Sequence, residues 1–109
     1  MITQEKISSE NFRIFYSTEL ERFVLACMMT ESAWYERYFS VSEEEYNAFE
    51  NCYEQLSRIA DGCFILGTVS PRFLCSKKST ENRTERQQQF AKSITAEINQ
   101  NNKKLSEGI

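Results

Sequence analysis

Glu43-Glu44-Glu45 is the densest cluster of ionisable groups in this chain. Three adjacent carboxylates suit three chemistries. They can stabilise a helix N-terminus, whose unpaired amides carry partial positive charge, by about 0.3–1 kcal/mol each. They can ligate a hard cation, but nothing around them fixes the octahedral geometry magnesium demands, so no metal is expected. They can also present a negative surface to a positive partner. The four cysteines, Cys27, Cys52, Cys63 and Cys75, form no Cys-x-x-Cys pair, and the chain has no histidine. A zinc set is therefore incomplete, and the side chain most used for proton transfer near neutral pH is missing. The cysteines lie in apolar stretches or, for Cys52, on a helical pattern, and are expected to be reduced, partly buried small hydrophobes. Gly62, Gly67 and Gly108 are too far apart to cradle a phosphate. With no base–nucleophile pairing in the pattern, no catalytic residue, enzyme activity or cofactor is expected.

Two further groups could bind. Trp34, Tyr35, Tyr38 and Phe39 could stack nucleobases, but their charged neighbours include Glu31, Glu36 and Glu43, which repel phosphate. Core packing is expected to take most of these rings, leaving one or two to anchor a protein partner. Lys77, Lys78, Arg83, Arg86 and Lys92 form a basic segment interrupted by Glu81 and Glu85. Such charges could contact nucleic acid, although a solvated helix face accounts for them too.

The elements that must position these groups follow from periodicity. Residues 1–10 are polar and predict a lead-in with little order. Phe12, Ile14 and Tyr16 alternate with Arg13, Phe15 and Ser17 as in a strand. Arg22 to Met29 is a continuous apolar run that suits a central strand covered on both faces. Ala33 to Val41 is aromatic-rich and again strand-like, with Tyr35, Phe39 and Val41 on one face and Trp34, Glu36, Tyr38 and Ser40 on the other. Ser42-x-x-Glu45 is a capping box. Tyr46, Phe49, Tyr53, Leu56 and Ala60 follow at helical spacing, predicting one helix over about residues 43–60, ended by Gly62. The run Cys63–Val69 fits either a short strand or an irregular buried link. From Thr80 a C-terminal helix is expected, docked by the thin stripe Phe90, Ile94 and Ile98 and fraying over residues 100–109. The expected fold is a single α+β domain over residues 1–109: a three-stranded antiparallel sheet followed by a capped helix and a C-terminal helix.

Charge divides along the chain. Residues 1–62 carry 12 acidic and 5 basic side chains, whereas residues 63–109 carry 4 and 8. An acidic body selects partners of opposite sign. The N-terminal residues show no basic leader before an apolar core. No apolar run approaches the roughly 20 residues that span a bilayer, so a cytoplasmic protein without membrane contact is expected.

The run Tyr38-Phe39-Ser40-Val41-Ser42-Glu43-Glu44-Glu45-Tyr46 and its helix resemble a pattern in small bacterial immunity proteins. Ser70-Pro71-Arg72-Phe73-Leu74 resembles a second recurring piece. Such proteins protect cells against polymorphic toxins, including those of contact-dependent growth inhibition. The resemblance implies a protein that binds a toxin's C-terminal domain, commonly a nuclease with a basic surface, and it carries over no individual functional residue. An acidic protein could occupy such a basic cleft as a polyanion mimic. The expected toxin-binding residues are Glu31, Glu36, Glu43, Glu44, Glu50 and Glu54, with Tyr35 as an aromatic anchor. The alternative is a small nucleic-acid-binding regulator using the basic C-terminal helix.

Overall fold

Three strands form where alternation and apolarity place them: β2 (Phe12–Ser17), β3 (Arg22–Met29) and β4 (Tyr35–Val41). A computed structural model describes residues 1–30 and 34–107, with side chains given up to Asn102 at the C-terminal end. The three strands make an antiparallel meander, with Phe12 opposite Cys27 and Leu25 opposite Phe39. The class is α+β as expected, but the sheet has five strands, not three, in the order β1-β2-β3-β4-β5. The polar segment expected to lack order holds β1 (Ile2–Ile7), and β5 (Phe73–Ser76) closes the other edge.

Both added strands lie at edges, where one face and one row of backbone groups need less apolar cover. Ile2 is the only fully buried residue of β1. Gln4 adopts a positive φ of 57° and the pairing slips between Thr3 and Lys6, so no period-two pattern survives in this strand. Both edges are plugged by side chains. Asn101 Nδ2 donates to Ile2 O at 3.1 Å and Tyr46 Oη to Gln4 O at 2.6 Å. At β5, Ser76 N donates to Asn82 Oδ1 at 2.8 Å, and Asn82 Nδ2 returns a bond to Ser76 O at 2.9 Å.

The capping box is present. Glu45 N donates to Ser42 Oγ at 3.1 Å and Ser42 N to Glu45 Oε1 at 2.8 Å. The helix it starts is two helices: α1 (Glu43–Asn51) and α2 (Tyr53–Leu66), separated at Cys52, whose φ of −158° and ψ of 71° are not helical. No Gly or Pro marks this break. Tyr53 instead fastens the start of α2 to the β1–β2 turn, bonding Ser8 and donating to Glu10 Oε2 at 2.8 Å. Gly62 lies inside α2, with open space where a Cβ would stand. The helix ends at Gly67, whose φ of 54° disfavours L side chains, and a Cβ there would lie 2.8 Å from Arg37 Nη1. Cys63–Val69 is therefore the last turn of α2 followed by a 3-10 turn over Gly67–Val69.

The sheet is covered on both faces, which explains the unbroken apolarity of β3. Phe12, Ile14, Leu25, Cys27, Phe39 and Val41 pack against Tyr46, Ala48, Leu56, Ala60 and Cys63 of α1 and α2. On the opposite face, Phe15, Val24, Ala26, Tyr38 and Cys75 pack against Ile94 of α3 (Glu85–Glu107). This helix starts five residues later than expected and stays helical through Glu107. Its stripe looks thin because Glu97, seven residues after Phe90, is buried. Ser17 Oγ donates to Glu97, and the Met1 amino nitrogen lies 2.9 Å from Glu97 Oε2. No described helix is long and apolar enough to cross a membrane.

Candidate binding surface

The fold distributes the expected acids over two faces. Glu43 and Glu44 are exposed in the first turn of α1 and make no ion pair among the described residues. Glu50 meets Lys6 Nζ at 2.5 Å, and Glu54 meets Arg58 at 2.9 Å one turn along α2. These four share the α1–α2 layer. Glu36 does not: it lies on the α3 face, where Arg13 donates from Nε and Nη2 to its two oxygens, each at 2.8 Å. Tyr38 Oη also donates to Glu36, at 3.1 Å. Burial opposes the charge on Arg13, but Glu36 and Glu5 outweigh it and hold the guanidinium pKa above its usual value. Glu31 lies outside the described residues.

Tyr35, the expected aromatic anchor, is half-buried and its hydroxyl is engaged. Its Oη donates to Glu81 Oε2 at 3.1 Å, and Arg37 Nη2 donates to the same Glu81 oxygen at 2.6 Å. The Arg37 hydrogen bonds hold the Glu81 carboxyl down at about 2. Glu45, the third acid of the cluster, is likewise committed. Arg72 donates to both its oxygens, at 2.7 and 2.6 Å, and these bonds hold its carboxyl below the usual range.

Trp34 is the most exposed aromatic among the described residues, 78% accessible and immediately before β4. It lines a cleft of about 190 Å³ with Ile7, Met28 and Glu36. A second cavity, of about 260 Å³, is lined by Glu10, Met28, Asp61 and Phe64. Asn11, Phe12 and Met28 border both, so the two lie side by side at one end of the sheet. Ile7 and Phe64, 71% and 56% accessible, complete an apolar rim. Among the described residues, Arg13 is the only cation lining either cavity, and Glu36 and Glu5 occupy it. Trp34 was legible as a ring sharing a face with Glu36. Asp61, Glu10 and Phe64 carried no pattern, because a turn and a helix break bring them together.

Chemically, this arrangement offers apolar anchors inside a negative frame. The thiols offer little: burial pushes Cys27, Cys63 and Cys75 up to about 12, 11 and 12, keeping them protonated. Cys52 departs from expectation and is exposed at the helix break. Among the described residues, no group of three or more Cys, Asp or Glu side chains is placed to hold a metal ion. Comparison with protein-family models, curated proteins and solved structures gave no match.

Proposed function

We propose that this chain is an immunity protein that binds the C-terminal domain of a cognate toxin, a basic nuclease, and holds it inactive. The observation that carries this reading is the end of the sheet, where exposed Trp34, Ile7 and Phe64 stand among Glu10, Glu36 and Asp61. Tryptophan at a desolvated interface centre supplies a disproportionate share of binding energy. Acids around it select a positive partner and accelerate encounter. Glu43, Glu44, Glu50 and Glu54 extend the negative field over α1 and α2. The plugged sheet edges oppose strand addition, so the partner is met through side chains.

The test is to read the genes that flank this one and, where they encode a large secreted protein with a basic C-terminal domain, to measure binding to that domain. The reading expects a stable complex whose association slows with salt, and more so in the Glu43→Lys/Glu44→Lys double variant. A complex whose association ignores both salt and those charges contradicts the acidic surface. A second reading draws on Lys77 and Lys92, which line a groove of about 530 Å³ beside α3. A nucleic-acid-binding regulator would show a steep negative salt slope against generic DNA or RNA.

A further inference from the structure

A separate groove, of about 340 Å³, lies between the start of α3 and the β4–β5 end of the sheet. Arg22, Arg72 and Arg86 line it together with Phe73 and Phe90. The three guanidinium groups differ. Arg72 is consumed by Glu45 and by Ser40 O. Among the described residues, Arg22 uses only Nε, donating to Leu20 O at 3.2 Å, and Arg86 makes no hydrogen bond or ion pair. Both sit against one ring, their guanidinium carbons 5.3 and 5.2 Å from the centroid of Phe90. The ring's face attracts each cation and gathers both guanidinium groups at the groove.

We propose that this groove binds a small phosphate monoester, with the phosphate bridging Arg22 and Arg86. A phosphate accepts paired hydrogen bonds from guanidinium forks, the geometry for which arginine is best suited. The volume falls in the range of small-ligand sites and leaves room for an organic body beyond the phosphate, against Phe73. The site does not borrow its donors from the helix start, where Thr84 Oγ1 already accepts from Gln87 N at 3.1 Å. The proposal stands independently of the toxin-binding reading.

Calorimetric titration of the full chain with AMP, inorganic phosphate and adenosine tests it. The expected result is saturable binding of AMP, weaker binding of inorganic phosphate and none of adenosine. Arg22→Gln and Arg86→Gln should each weaken AMP by roughly tenfold or more, whereas Lys92→Gln, at the other groove, leaves it unchanged. Equal affinity for AMP and inorganic phosphate overturns the monoester in favour of a bare anion. Absence of saturable AMP binding at millimolar concentration overturns the site. So does an Arg86→Gln variant that loses thermal stability but keeps AMP affinity, since the arginines then only pack on Phe90.

Discussion

The two helical layers are attached to the same sheet by different physics. The α1–α2 layer buries a broad apolar face through Tyr46, Ala48, Leu56, Ala60 and Cys63. The α3 layer buries one residue fully within its stripe, Ile94, and adds polar fastenings through Glu97 and Asn101. Their outer surfaces differ as well. Residues 42–66 carry six acids and one base, whereas residues 77–102 carry five bases and three acids, of which Glu81 and Glu97 are committed inward. A layer held mainly by apolar burial, with its polar contacts at the margins, leaves more of its surface free to carry charge for a partner. A layer fastened by polar contacts spends part of its charge on staying attached.

This contrast can be broken from either side. Leu56→Ala removes a fully buried side chain beneath the acidic layer and should cost about 3–5 kcal/mol. Urea unfolding should show the loss as a lower midpoint with the transition still cooperative. Glu97→Ala should cost less, about 2 kcal/mol, because much of what it removes is charge-assisted bonding rather than apolar burial. Hydrogen exchange should locate that loss in α3 and β1, leaving α1 and α2 protected. Equal spreading of the Glu97→Ala effect over both layers would contradict separate attachment.

Smaller effects sharpen the same comparison. Ser42→Ala opens the capping box and should cost about 1 kcal/mol, read as a lower urea midpoint. Arg37 lowers the folded-state pKa of Glu81 from the ordinary 4.5 to about 2. A depressed carboxyl contributes stability that is fully present above its unfolded pKa and is lost as pH falls through the folded value. The melting-temperature advantage of the parent chain over Glu81→Gln should therefore persist at pH 6 and close between pH 4.5 and 2. A gap that stays constant across that window would deny the Arg37–Glu81 coupling.

What was legible in the sequence was local. Period-two alternation marked β2, unbroken apolarity marked β3, and Ser42-x-x-Glu45 marked the start of α1, since each signal lies within one element. Edge strands escaped because β1 needs one buried residue and β5 is four residues long. The break at Cys52 escaped because its cause, Tyr53 reaching Ser8 and Glu10, is more than 40 residues away in the chain. Charge counts located the acidic half but not the committed acids. Glu36 is taken by Arg13 from a neighbouring region of the sheet, and Glu45 by Arg72 from beyond α2. The apolar run Phe64-Ile65-Leu66 suggested burial, yet all three side chains face outward.

The proposed docking surface turns on Trp34. The most direct measurement is the affinity of the Trp34→Ala variant for the cognate basic domain that the proposal requires, by calorimetry at fixed salt. The side chain is 78% accessible, so its removal should leave the melting temperature within a degree or so of the parent. The account predicts a loss of about 2 kcal/mol or more, roughly thirtyfold in dissociation constant. An unchanged affinity with an unchanged fold would contradict it.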